Sequence, residues 1–249
     1  MNLTGLGFVA LFAGLIIAFI FLGQRKGAKP AQFRPLEALQ SLPQTVGDAV
    51  ETGRRLHISL GSGSVGQTDT AAALAGLTVL DQISEVTVVS DKPPIVTTGD
   101  GTVMLLAQDT LQHVYARQNA QDRYDPTSAR VAGLSPISFG AATSVMVKDE
   151  SLAGTVLVGS VGPEVVLLTE ASQRAGVTTL AGSDDPAAQA VLFAAAEAPL
   201  IGEDLFAGGA YIGRHPGHVA SLRAQDIMRL LIGVVIIGGV LLKTVGILK

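Results

Sequence analysis

Two long apolar runs, one near each end of the chain, constrain its fold more than any other feature. The first covers residues 5–23 (GLGFVALFAGLIIAFIFLG) and contains no charged side chain. The second covers residues 230–248 and contains one, Lys243, which is close enough to the end of the run to reach a membrane surface. As a helix, each run is roughly 28 Å long, close to the ~30 Å hydrocarbon thickness of a bilayer. The sequence therefore predicts a transmembrane helix at each end, and the lipid bilayer as a partner.

Each run has an alternative interpretation. The first could be a cleaved signal peptide, but no Lys or Arg precedes it and no A-x-A site follows it, so an uncleaved anchor is favoured. The second could form a hydrophobic hairpin in the membrane surface, and a spanning helix is favoured over it. A stripe of small residues in the first run, Ala10, Gly14 and Ala18, permits close helix packing. This stripe could serve pairing of the two anchors within one chain or association between chains.

Basic residues flank the two runs on their inner sides. They are Arg25, Lys26, Lys29 and Arg34 after the first run, and Arg214, Arg223 and Arg229 before the second. Because positive charge favours the cytoplasmic side, the segment between the runs is expected in the cytoplasm. The predicted location is the inner (plasma) membrane, with two spans.

Composition excludes several classes of protein. Charged residues make up only 15% of the chain, its net charge is −4, and it contains no cysteine. A long disordered tail, a coiled coil or a nucleic-acid-binding surface needs many more charges, so nucleic acid is not an expected partner. Disulfides, thiolate metal sites and cysteine nucleophiles are excluded outright.

Short strands and helices alternate between the two runs. Strands are predicted at residues 55–60, 85–90, 155–160 and 177–181. Helices are predicted over residues 68–83, from Asp100 onward, from Ser135 to about Lys148, after the strand 155–160 to about Arg174, and from Asp185 to about Glu197. This alternation indicates an α/β fold, a Rossmann-like, mostly parallel sheet with helices on both faces.

The chain is predicted to divide into five segments. They are an anchor (1–23), a connecting arm (24–52) with two short helices that start at Pro35 and Pro43, the cytoplasmic α/β domain (53–213), a juxtamembrane linker (214–228) and the second transmembrane helix (229–249).

A glycine-rich segment follows the first predicted strand. Residues 61–66 read GSGSVG and match G-x-G-x-x-G between a strand and a helix, the context of a dinucleotide-binding loop. Its candidate ligand-binding residues are Gly61, Ser62, Gly63, Ser64, Gly66 and Gln67. With 29 glycines in the chain, a tight turn that binds nothing is the alternative interpretation.

The carboxyl ends of the other strands are expected at the same edge of the sheet. Candidate ligand-binding residues there are Asp91, Ser160, Gly162 and Asp184. The acidic residues could bind Mg²⁺ with a substrate phosphate, or could simply cap helices. No metal site is predicted, and no cofactor is required by the sequence, although a nucleotide is possible.

No catalytic constellation is recognisable. The chain has no G-x-S-x-G, no G-K-[ST] after the glycines and no H-E-x-x-H. His57 falls inside a predicted strand and is expected to be structural. These observations lean against an enzyme.

Four segments carry a family resemblance: residues 56–80, 122–136, 161–193 and 199–229. They include LHISLGSGSVGQTDTAAALAGLTVL and PLIGEDLFAGGAYIGRHPGHVASLRAQDIMR, and together they resemble an uncharacterised bacterial family of membrane-anchored domains of unknown function. The resemblance implies a cytoplasmic α/β domain tethered by terminal helices, and no activity, ligand or catalytic residue.

The sequence is compatible with three functions. The leading hypothesis is a membrane-tethered scaffold or accessory subunit without catalysis, partnered by itself or by another membrane protein. The alternative is a domain that binds or senses a nucleotide or phosphorylated metabolite through Gly61–Gly66. A channel or transporter component is the least favoured, because the two runs hold no intramembrane acid.

Overall fold

The chain forms two compact units. The computed structural model describes residues 3–23, 34–90, 92–213 and 216–244. One unit combines Met1–Phe33 with Arg214–Lys249, and the other is Arg34–Gly213.

The first unit consists of two apolar helices that pack against each other, α1 (Leu3–Gly23) and α9 (Pro216–Thr244). Among the described residues, α9 alone is long and apolar enough to cross a bilayer, and the apolar helical segment Gly5–Phe21 of α1 is shorter. The structure therefore supports one of the two predicted spans. Helix α9 also contains most of the predicted linker 214–228, because Pro216 suits a first helical turn and residues such as Ala220, Arg223 and Met228 favour helix.

The second unit is built on a six-stranded sheet. Its strands are β1 (Arg55–Gly61), β2 (Ile95–Thr98), β3 (Ala129–Val131), β4 (Leu152–Ser160), β5 (Thr178–Gly182) and β6 (Ala198–Leu200). Their order is β3-β2-β1-β4-β5-β6, and every pair is parallel. The predicted α/β class with a parallel sheet is confirmed.

Helices cover both faces of this sheet. They are α2 (Glu37–Thr52), α3 (Thr70–Thr87), α4 (Gly101–Arg117), α5 (Pro136–Asp149), α6 (Val165–Ala175), α7 (Pro186–Ala195) and the short α8 (Gly208–Tyr211). The chain runs from β1 to β3 toward one edge and then from β3 to β6 toward the other. Right-handed crossovers therefore place α3 and α4 on one face and α5, α6 and α7 on the opposite face. Helix α2 contacts α3 and the sheet.

The predicted strand at residues 85–90 is wrong. Helix α3 continues to Thr87, and the second strand of the chain is Ile95–Thr98. Leu80, Ile83, Ser84 and Thr87 are all buried, which is a helical spacing that outweighs the β-branched composition of the segment. Strands β3 and β6 were not predicted, because three residues are too few to show an alternating pattern.

The predicted pair of short helices before β1 is also wrong, since α2 is one helix with Pro43 inside it. Its buried face continues past the proline through Leu39, Leu42, Val46 and Ala49. Burial of that stripe on the sheet offsets the backbone hydrogen bond that Pro43 cannot donate. The α/β unit consequently starts at Arg34 and includes this helix.

Candidate functional site

The glycine-rich segment lies at the carboxyl edge of the sheet, between the central strands β1 and β4. Chain connections leave these two strands in opposite directions, the position where α/β sheets usually bind ligands. The backbone N–H groups of Ser62 and Gly63 both donate to the carbonyl oxygen of Ser160, at 2.7 and 3.2 Å. These two donors are therefore engaged by β4 and are not directed at a ligand.

The first two glycines of the segment are required by packing. Gly61 has a φ of +75°, and a Cβ there would overlap the carbonyl oxygen of Ser160. Gly63 is buried, and a Cβ there would lie 2.7 Å from the Ser160 Cβ and 3.0 Å from the Asp69 Cβ. The glycines at 61 and 63 thus let β1 and its loop approach β4 and the start of α3 closely.

The third glycine does not open the helix, as the dinucleotide-binding pattern would require. Gly66 is exposed with a φ of +93°, and α3 begins four residues later, at Thr70. The Gly66 N–H donates to the Thr70 Oγ1 at 2.8 Å, and the Thr70 hydroxyl donates to the Gln67 carbonyl at 2.7 Å. The segment closes on itself through these bonds. Ser64 is half-buried and Gln67 exposed, so their side chains remain on the surface of the loop.

Asp69 occupies the residue before α3 and was not singled out from the sequence. Its side chain makes no capping hydrogen bond to α3 and accepts one from the Thr68 hydroxyl, at 2.7 Å. A carboxylate at this position would repel a phosphate bound at the start of α3, since both groups are negatively charged. The sequence signal that could have identified Asp69 is its position directly before the apolar stripe of this helix.

The carboxyl ends of β4 and β5 meet beside this loop. Ser183, which is fully buried, accepts from the Val161 N–H at 3.1 Å and donates to the Val161 carbonyl at 2.7 Å. Glu164 is 7% exposed and accepts from the Gly162 N–H at 2.9 Å. Ser183 and Glu164 hold this edge together, whereas the candidate residues chosen from the sequence at the ends of β4 and β5 were Ser160, Gly162 and Asp184. The Oδ1 atom of Asp184 is buried and has no hydrogen-bond partner within the described part of the chain.

The carboxyl edge is acidic. The loops that directly follow β1 to β6 contain no Lys or Arg. They contain Asp69, Asp100, Glu164, Asp184 and Asp185. Phosphate groups of a nucleotide would meet a negative potential here. Across residues 3–23, 34–90, 92–213 and 216–244, no three His, Asp or Glu side chains converge as a metal-ligand set.

Two of these acids, Asp100 and Asp185, cap helices at the positions where the sequence predicts helix starts. The Asp100 carboxylate accepts from the Thr102 and Val103 N–H groups at 2.9 and 3.0 Å, and Asp185 accepts from the Ala188 N–H at 2.8 Å. Asp91 lies outside the described residues. The strand that it was predicted to end is absent, and Gly99 and Asp100 follow β2 instead.

A shallow groove lies on another side of the unit, between β3 and α5. Its volume is about 330 Å³, and it is lined by Arg130, Val131, Ala132, Ala142, Val145, Met146, Asp149 and Glu150. Strand β3 is an edge strand, so its outer backbone has no neighbouring strand in the sheet. Ile137, Ala141 and Val145 form an exposed apolar face on α5, with Ile137 67% and Val145 53% exposed. This surface was not predictable from the sequence, because β3 is too short to show a strand pattern.

Comparison with protein families places nearly the whole chain in one group. Residues 2–249 match the family described as Domain of unknown function (DUF6754). The chain belongs to this family. No curated protein and no solved structure matches it. The DUF6754 match agrees with the resemblance found in the sequence, and it carries no activity or ligand with it.

Proposed function

We propose that this chain is a membrane-tethered α/β scaffold or accessory subunit, without catalysis, that associates with other copies of itself. The observation that carries the proposal is the exposed apolar face of α5 beside the open edge strand β3. An apolar helix face next to unpaired strand backbone is a surface on which another chain can bury area and form hydrogen bonds.

Helix α9 supplies the tether in this proposal. The apolar side chains of its second half, from Leu230 to Leu242, are largely exposed, as expected of a helix facing lipid. We propose that α1 forms the second span and that the basic residues beside both helices hold the α/β unit in the cytoplasm. Tethered copies share one membrane, so their effective concentration is high and modest contacts are sufficient for association.

A second copy is the proposed occupant of the β3–α5 surface. Lys148 and Asp149 are both exposed at the end of α5, and Arg130 and Glu150, 3.5 Å apart, line the groove. A surface that carries both signs of charge beside an apolar face can be complementary to itself across a two-fold axis.

Nucleotide binding through Gly61–Gly66 is the less favoured function. The strand order supports it, because ligands of such sheets bind between the two central strands. The bonded N–H groups of Ser62 and Gly63, the carboxylate of Asp69 and the acidic edge oppose it.

The test is the oligomeric state of the full chain in mild detergent, measured by native mass spectrometry. We expect the wild type to be oligomeric and Val145→Lys to be monomeric, since a charge would be buried against an apolar surface. Val86→Lys is the matched control, because Val86 is a helical valine that is 55% exposed on α3. A monomeric wild type, an oligomeric Val145→Lys, or dissociation by Val86→Lys contradicts the proposal.

A further inference from the structure

A layer of polar side chains is buried in the middle of the sheet, on the face covered by α5 and α6. His57 on β1 and Thr155 on β4 are register partners on neighbouring strands, and Ser59 lies two residues further along β1 on the same face. Ser172 lies on the buried side of α6, which packs over this face. Each of these four residues is 0% exposed.

Three side-chain atoms of this sheet layer, and one on helix α6 above it, have no hydrogen-bond partner within the described part of the protein. They are His57 Nδ1, Ser59 Oγ, Thr155 Oγ1 and Ser172 Oγ, four of the seven such side-chain atoms found there. The other imidazole nitrogen, His57 Nε2, lies 2.8 Å from the Thr97 Oγ1. Buried polar atoms in native proteins nearly always bond to protein or to ordered water, so several unpartnered atoms in one layer point to a shared ligand.

We infer that this layer is an internal hydration site, in which ordered water is held between strands β1 and β4 and the covering helices. The ligand must be small, because the surrounding core includes Phe139, Leu157 and Leu168, all fully buried. It must be neutral, because the four side chains are uncharged and Arg130, whose charge acts on His57, is already paired with Glu150 at 3.5 Å. It must both donate and accept hydrogen bonds, because hydroxyl groups do both and His57 offers either role at Nδ1 according to its tautomer. Water meets all three requirements.

The hydration site also accounts for a polar residue pattern at the centre of a fully buried parallel sheet. Parallel strands covered on both faces are normally continuous apolar runs. The imidazole of His57 stays neutral in this environment, since burial and the nearby Arg130 lower its pKa to about 4. A neutral imidazole bonded to Thr97 on one side needs a partner on the other, which the water supplies.

Substitution of Thr155 by valine tests this inference in the full chain in detergent. If water bonds the hydroxyl, Thr155→Val breaks a bonded network and lowers the melting temperature. If the hydroxyl is dry, the variant removes an unsatisfied polar group and is at least as stable as the wild type. Thr143→Val is the matched control: Thr143 is also 0% exposed, but its hydroxyl donates to carbonyls of its own helix, Phe139 at 2.9 Å and Gly140 at 3.0 Å.

We expect the melting temperature to fall by several degrees in Thr155→Val and by less in Thr143→Val. We also expect a high-resolution crystal structure to place a water within hydrogen-bond distance of at least two of the four atoms. A Thr155→Val variant as stable as the wild type, a fall no larger than that of Thr143→Val, or well-defined density for this layer without a water overturns the inference.

Discussion

At the scale of single residues, folding strongly changes the environment of the His57 imidazole, which is fully buried. Its pKa is lowered from 6.5 to about 4 by burial and by the nearby Arg130. Between these two values the unfolded chain binds a proton at His57 that the folded chain does not, so folding loses stability as pH falls from 6.5 to about 4. The full effect is about 3 kcal/mol, complete below the folded value and absent above the unfolded one.

The prediction is checked by unfolding the full chain in detergent at several pH values. His57→Gln removes the titrating group, so we expect its stability to fall less steeply than that of the wild type between pH 6.5 and 4. Thr143→Val is the control, since it replaces a buried side chain without changing any titratable group, and it should keep the wild-type slope. Equal slopes for wild type and His57→Gln would show that His57 does not titrate as described.

Glycine shows at the same scale how one sequence signature can have two physical causes. The G-x-G-x-x-G pattern predicts a loop that approaches a phosphate. In this chain Gly61 and Gly63 approach the protein itself, namely Ser160 and Asp69. The requirement for residues without a Cβ is the same in both cases, so the pattern alone could not distinguish a ligand from a neighbouring strand.

At the scale of elements, helix capping explains two acids of the carboxyl edge, Asp100 and Asp185. Asp100 accepts two hydrogen bonds from the first turn of α4, whereas Asp69 makes no such bond to α3. We therefore expect Asp100→Ala to lower the free energy of unfolding by about 1–2 kcal/mol, the usual cost of a lost cap, and Asp69→Ala to change it by less than about 0.5 kcal/mol.

Urea unfolding of both variants in detergent measures this difference. The outcome also bears on ligand binding. Capping accounts for a carboxylate at position 100 without any ligand, whereas it does not account for the carboxylate of Asp69. Equal losses in the two variants would show that the bonds of Asp100 do not contribute as a cap.

At the scale of the whole molecule, the orientation of the α/β unit is open to a direct test because the chain contains no cysteine. We expect a single cysteine at the exposed position 122, made by Asp122→Cys, to resist a membrane-impermeant maleimide in intact cells and to react once the cells are opened. Lys249→Cys is the matched control. If α9 spans the membrane with Arg223 and Arg229 on the cytoplasmic side, position 249 lies outside and reacts in intact cells. Labelling of Asp122→Cys in intact cells would place the unit outside.

Features that depend on local chemistry were predictable from the amino-acid sequence. The parallel α/β class follows from alternating strands and helices, and the caps Asp100, Ser135 and Asp185 were readable because a cap bonds residues two or three positions away. The α9 helix was readable as an apolar run of membrane length.

Which of these features contact one another depends on long-range packing and strand pairing. Strand β3 pairs with β2, and α3 displaces the predicted strand at 85–90, because pairing and burial depend on residues far away in the chain. The same holds for the loop at Gly61–Gly66, whose N–H groups bond Ser160, about a hundred residues away. The buried layer around His57 likewise exists only because neighbouring strands bring His57 and Thr155 into register. Contacts between distant residues carry no local pattern, so no reading of nearby residues could supply them.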